Sequence, residues 1–179
     1  MSILFNLLIF LGCLIYFPYL FLKRKLHRAF WMRLGFIPKG LKVSNQKQTI
    51  WIHAVSVGEV MSVLGLIGKL KQKFPQHQIV LTTVTMTGYA LAVSRTQDVD
   101  LVLYAPLDFS FVVRKYIDLI RPQIYIVAET EIWPNLFRLL KKNSVPIILI
   151  NGRISDRAFK NYVRLKGLLK NILNCVDVF

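Results

Sequence analysis

Only nine of the 179 residues are acidic, and three of the nine fall in two short stretches whose residue types could move a proton. The first is Trp51-Ile-His-Ala-Val-Ser-Val-Gly-Glu59-Val60, and the second is Glu129-Thr-Glu131-Ile-Trp-Pro134-Asn135. A carboxylate within hydrogen-bond reach of a substrate hydroxyl can take its proton as a new bond forms. Glu59 is the candidate for that general base, with Ser56, Gly58, Glu129 and Glu131 as candidates for binding the substrate beside it. The same residues admit a plainer reading. Ser56 begins Ser-x-x-Glu, the capping-box pattern, in which Ser56 accepts from the Glu59 amide and the Glu59 carboxylate returns to the Ser56 amide. Gly58 lets the backbone pass tightly there. Glu131 stands just before a helix, where a negative charge is favourable without any catalytic role.

The elements around these stretches decide between the readings. Ile50 to Ala54 is a short run rich in β-branched and aromatic residues, which predicts a buried strand. From Glu59 to Phe74 the apolar residues Val60, Val63, Leu64, Ile67 and Leu70 keep a helical period, and Pro75 stops it. Ile79 to Thr83 is a second strand, leading through Thr85, Thr87 and Gly88 into a short helix over Tyr89 to Ser94. Leu101 to Tyr104 is a third, and Ala-Pro-Leu-Asp108 opens a helix that runs to Ile120 and is closed by Arg121-Pro122. Ile124 to Ala128 is a fourth strand, Asn135 to Lys142 a helix, and Ile147 to Ile150 a fifth strand ending at Asn151-Gly152-Arg153. Strands alternating with helices through short connections predict an α/β fold, a Rossmann-like doubly wound parallel sheet. In such a sheet every strand exit lies on one edge, and ligands bind where the strand order reverses. Glu59, Glu129 and Glu131 lie on the exits of strands one and four, which that order makes neighbours. Their convergence favours the catalytic reading of Glu59.

Residues 1–22 carry no charge, a length that suits a membrane-anchor helix. Eight basic and no acidic residues follow between Lys23 and Lys47, and the first acid of the chain is Glu59. That order differs from a cleaved signal peptide and keeps the bulk of the chain on the cytoplasmic side. Pro18 leaves open a segment that enters one leaflet without crossing. Residues 23–48 read as a basic juxtamembrane helix and linker, with Leu26, Phe30, Trp31, Leu34 and Phe36 interleaved. Contact with an anionic lipid surface fits this composition, and topology signalling is the alternative. Residues 49–179 form the domain. The net charge of +15 sits beside the apolar segment, which argues against nucleic acid as the partner.

Several classes are excluded. No G-x-G-x-x-G follows the first strand and there is no G-x-x-x-x-G-K-[ST]. Ser56 lacks the G-x-S-x-G setting of a hydrolase nucleophile. Cys13 and Cys175 suggest no disulfide framework, and His27, His53 and His77 lack ligand spacing, so neither a metal nor a cofactor is expected. His53 on a buried strand reads as a hydrogen-bonded core residue.

Taken together, the apolar segment with its basic flank, WIHAVSVGEV, VLTTVTMTG, LYAPLD, VAETEIWPNL and LINGRIS closely resemble the amino-terminal half of 3-deoxy-D-manno-octulosonic acid (Kdo) transferases. These are the lipid A glycosyltransferases of lipopolysaccharide biosynthesis. The resemblance implies the N-terminal domain of a glycosyltransferase B fold at the cytoplasmic face of the bacterial inner membrane. It implies inverting transfer of Kdo from CMP-Kdo to the lipid A precursor, lipid IVA, with Glu59 as general base. By the same resemblance Glu129 positions acceptor or base, and Glu131 is a weaker candidate. A family member continues into a second domain that holds most of the nucleotide sugar. Val176 to Phe179 reads as the start of a sixth strand, so the expectation is an acceptor-side half, inactive alone. A membrane-tethered lipid- or partner-binding remnant without catalysis is the alternative.

Overall fold

A computed structural model describes residues 28–179, apart from 39, 42, 96, 156–158, 160, 161, 164 and 165. The apolar segment 1–22 and the basic residues Lys23 to Lys25 lie outside the described residues. Among those described, no helix is long and apolar enough to cross a membrane.

Five parallel strands form one sheet in the order β3-β2-β1-β4-β5. They are β1 (Thr49–His53), β2 (Gln78–Thr83), β3 (Leu101–Tyr104), β4 (Pro122–Ala128) and β5 (Ile147–Ile150). The described helices are α1 (Arg28–Arg33), α2 (Val57–Lys73), α3 (Met86–Arg95), α4 (Ser110–Ile120), α5 (Pro134–Lys142) and α6 (Lys166–Leu173). β1 lies at the centre with all five residues buried, which is why it is apolar almost throughout. Its side chains alternate between two cores. Ile50 and Ile52 pack with Val60, Val63 and Ile67 of α2 on one face. Trp51 packs with Tyr116, Tyr125, Phe137 and Leu140 under α4 and α5 on the other. The order reverses at β1, with β2 on one side and β4 on the other. The exits of β1 and β4 therefore adjoin, as the strand-helix alternation predicts.

Three local expectations are corrected. The helix after β2 starts at Met86, three residues before Tyr89. The helix expected from Asp108 starts at Ser110, because the Asp108 carboxylate is committed to the next helix, α5. The helix α4 ends at Ile120 as expected, with Arg121 at φ 48° closing it, and Pro122 is the first residue of β4, a position where proline loses no ladder bond. Finally, residues 36–48 are not a free linker. Ile37, Leu41 and Val43 pack on the core, and Ser44 exchanges hydrogen bonds with the Gln78 side chain at 2.9 and 2.8 Å.

α1 is fastened to the β3 exit. The Tyr116 hydroxyl lies 2.8 Å from the carbonyl oxygens of both Met32 and Tyr104. The Leu107 amide donates to the Arg33 carbonyl at 2.8 Å, and Arg33 Nε donates to the Ala105 carbonyl at 3.1 Å. The end of the basic segment is thereby held beside the edge where every strand exits.

Candidate active site

Ser56 leaves β1 in an extended conformation and caps α2, its Oγ 3.5 Å from the Glu59 amide. The other half of the expected box is different. Glu59 Oε2 accepts from the Val55 amide at 2.7 Å, and Oε1 accepts from the Ser56 hydroxyl at 3.0 Å. The carboxylate thus reaches one residue further back than the Ser56 amide. Gly58 does not make the tight passage that its sequence context suggests: it lies inside the first turn of α2 with room for a Cβ, whose nearest neighbour would be Ser56 Oγ at 4.0 Å. Glu59 is buried, 7% exposed. Two donors orient it, and each oxygen retains acceptor capacity. Such a carboxylate can take a proton from a hydroxyl brought to the exit edge.

Glu129 and Glu131 stand on the β4 exit, next to β1. Glu131 is half-buried, and its pKa is raised, first by burial and then by the nearby negative charges of Glu59 and Glu129. The Trp133 indole opposes that rise. The three carboxylates therefore form one electrostatic group. Glu129 adopts φ 59° and Asn151, at the β5 exit, φ 53°, conformations that side chains avoid unless their surroundings hold them there. The Glu129 amide donates to the Ile150 carbonyl at 2.8 Å. Thr130 is bonded to the carbonyl of Arg153 and accepts from the Arg153 amide, the latter at 2.9 Å. These contacts couple the β4 and β5 exits, and Arg153 is exposed at the β5 exit.

Beneath the carboxylates lies a polar layer that the residue types alone did not disclose. His53 Nδ1 is 3.0 Å from Thr82 Oγ1, in agreement with the core reading, while Nε2 is buried with no hydrogen-bond partner among the described residues. Its ring stacks near Tyr125 and meets Trp133 edge-on at 5.6 Å. Burial lowers the His53 pKa to about 4, so the ring is neutral at pH 7. Asp108 accepts from the amides of Asn135 and Leu136 at 2.9 and 2.8 Å, and its own carbonyl accepts from the Asn135 side chain. It serves as the N-terminal cap of α5 from a distant part of the chain. Burial pushes its pKa to about 7 against the opposing effect of those amides. The signal was present in the sequence as APLD and WPN, but nothing local says that one stretch caps the other. A separate groove of about 550 Å³ opens along β5, lined by Ile148, Ile150, Leu173 and Phe179 among others. Among the described residues that line it there is no Asp or Glu.

Among the described residues no group of three His, Cys, Asp or Glu is placed to hold a metal ion. The site's chemistry is that of clustered carboxylates under a switch point.

A family model described as 3-deoxy-D-manno-octulosonic-acid transferase (kdotransferase) matches residues 28–179. The 3-deoxy-D-manno-octulosonic acid transferase of Haemophilus influenzae is 37% identical over 131 residues, 73% of this chain and 31% of its own length. A bifunctional glycosyltransferase/methyltransferase of Fusobacterium nucleatum is 34% identical over 98% of this chain and 27% of its own length. Among solved structures, the glycotransferase of kitacinnamycin overlaps 70% of this chain and 36% of its own, with a TM-score of 0.44 at 17% identity. The chain spans about a third or less of the length of these curated relatives. With the motifs in one order, the carboxylates on one edge and the family model covering every described element, the chain belongs to the 3-deoxy-D-manno-octulosonic-acid (Kdo) transferase family.

Proposed function

We propose that this chain is the acceptor-side half of an inverting glycosyltransferase. It moves Kdo from CMP-Kdo to the phosphorylated disaccharide precursor of lipid A at the cytoplasmic face of the inner membrane. The observation that carries this reading is the Glu59 carboxylate. It is buried, oriented by the Val55 amide and the Ser56 hydroxyl, and placed at the switch point beside Glu129 and Glu131. Glu59 takes the proton of the acceptor hydroxyl as that oxygen attacks the anomeric carbon of Kdo and CMP departs. Ser56 caps the helix that presents the base, and Gly58 leaves the first turn of that helix open to the substrate. Glu129 and Glu131 hold sugar hydroxyls, and Glu131, with its raised pKa, is suited to share the proton that Glu59 acquires. Exposed Arg153 is available to an acceptor phosphate. The nucleotide sugar is expected on a second domain of a glycosyltransferase B fold, so the chain alone is expected to be inactive.

The test is Kdo transfer to lipid IVA by membranes carrying this chain, alone and with a donor-binding half of the family supplied. Transfer with the added half, reduced by roughly 10² to 10⁴ in Glu59→Gln, is the expected result for a lost general base. Equal transfer by the parent and Glu59→Gln sinks the assignment. A second reading draws on the cap-like contacts of Glu59, which would serve a non-catalytic, membrane-tethered binding module equally well. Folded protein without transfer in either arrangement would favour it.

A further inference from the structure

The stretch Leu81-Thr-Thr83-Val-Thr85-Met-Thr87-Gly88 leaves β2 beside the base and has no part in the chemistry above. Its polar groups converge on one atom. The Val55 carbonyl oxygen accepts from the Thr83 hydroxyl at 2.9 Å and the Thr85 hydroxyl at 3.3 Å. It also accepts from the amides of Val84 and Thr85, each at 3.2 Å. A carbonyl has two lone pairs, so these donors share them. The Val55–Ser56 peptide group cannot turn without breaking several of these bonds. Across the Val55 Cα, in the preceding peptide group, the Val55 amide donates to Glu59 Oε2 at 2.7 Å. Val55 therefore joins the threonine turn to the carboxylate.

Gly88 supplies an independent observation. A Cβ at this position would lie 2.7 Å from Thr83 Oγ1, 2.8 Å from Thr85 Oγ1 and 3.4 Å from the carbonyl carbon of Ser56. The start of α3 is pressed onto the two hydroxyls so closely that only hydrogen fits. The Gly88 amide also donates to Thr85 Oγ1 at 3.0 Å, which directs the Thr85 hydroxyl proton toward Val55. Thr83 is fully buried, so water does not compete for its bond.

We infer that Thr83, Thr85 and Gly88 form a clamp that positions the Glu59 carboxylate by restraining the backbone of Val55, whose carbonyl they hold and whose amide meets the carboxylate. They are positioning residues and touch no substrate. The inference rests on the reading of Glu59 as the base, so its test has one arm that needs no turnover. In the first arm the Val55 amide proton of the isotopically labelled 179-residue chain, held in a mild detergent, is followed by NMR as Glu59 is titrated. A charged carboxylate draws the N–H more strongly than the neutral acid, so the parent shows a large titration shift. That shift falls to about half or less in Thr85→Val and in Gly88→Ala, and Thr85→Ser keeps it, since the hydroxyl bond is what couples the turn to the carboxylate. Parent-like shifts in both Thr85→Val and Gly88→Ala overturn the clamp. The serine variant, which keeps the hydroxyl, is the control for loss of fold.

In the second arm the donor-binding half is supplied and transfer is measured. Thr85→Val lowers kcat by about tenfold with KM unchanged, as a small misplacement of a reacting group does, and Thr85→Ser restores it. Full kcat in Thr85→Val alongside an inactive Glu59→Gln overturns the clamp while leaving the base in place. Full transfer in Glu59→Gln removes the base instead, and the first arm then decides whether the clamp holds the carboxylate.

Discussion

His53 and Asp108 are two buried titratable residues beneath the carboxylates, and their ionisation acts on stability in opposite directions. The His53 pKa falls from 6.5 to about 4, chiefly by burial. As pH drops through that window the unfolded chain takes up a proton that the folded chain refuses, and stability falls. Asp108 rises from 3.8 to about 7, again chiefly by burial. As pH climbs through that window the unfolded chain releases a proton that the folded chain retains, so stability falls in the other direction. The two effects offset each other in the parent, and single variants expose them. Denaturant titrations of Asp108→Asn between pH 4 and 6.5 should show stability rising with pH by about 3 kcal/mol, the His53 contribution alone. His53→Gln should show the opposite slope over pH 4 to 7. Like slopes in both variants would mean that neither group is desolvated as the structure places it. At this scale the sequence was partly readable. His53 as a core residue was visible from its strand, but its orphan Nε2 was not, since that depends on Tyr125 and Trp133 arriving from β4 and its exit.

The strands and helices were legible because their period is local. β1, α2 and β5 announce themselves through runs of apolar residues at spacings of two or near four. What failed was everything decided by a partner distant in the chain. Asp108 looks like a helix opener in APLD, yet its oxygens are spent on Asn135 and Leu136, 27 and 28 residues away. The Glu59 carboxylate takes the Val55 amide in place of the Ser56 amide while keeping the Ser56 hydroxyl, a detail the capping pattern alone does not specify. The cap of α5 can be tested at its own scale. Asp108→Ala strands two buried amides at the start of that helix, which should cost about 2 to 4 kcal/mol in equilibrium unfolding. Asn135→Ala leaves both amides bonded to Asp108 while removing the side-chain bond to the Asp108 carbonyl, and should cost less, about 1 to 2 kcal/mol. Equal losses would place the stabilisation elsewhere than in the paired amides.

At the scale of the whole molecule, α1 and the start of α4 present a single aromatic and basic surface. Trp31 is 44% exposed, Phe36 63% and Phe111 60%. Trp31 meets Phe36 edge-on at 5.6 Å, and the Lys115 ammonium stands 5.9 Å from the centre of the Phe36 ring. Aromatic rings beside cations suit the headgroup region of an anionic bilayer, and this patch flanks the edge that carries the carboxylates. We propose that it rests on the membrane, which brings a lipid acceptor to Glu59 without removing it from the bilayer. The expected outcome is quenching of tryptophan emission by lipids brominated near the headgroup, stronger in anionic than in zwitterionic vesicles, and lost in Trp31→Phe. Buried Trp51 contributes none of it, and Trp133, half-buried at the β4 exit, is changed to Phe in both proteins compared so that Trp31 alone reports. Equal quenching in Trp31→Phe would turn the patch away from the lipid.

The way α1 is attached has a consequence for how such a surface can change. Tyr116 and Leu107 grip the carbonyls of Met32 and Arg33, which belong to the main chain and are the same whatever the side chains are. Arg33 and the sulfur of Met32 add side-chain bonds on the inward face, to the Ala105 carbonyl and the Tyr104 amide. The outward residues carry none of this attachment. Mutation can therefore rewrite the outward residues of α1 step by step, while the placement of that helix against the strand-exit edge is inherited unchanged.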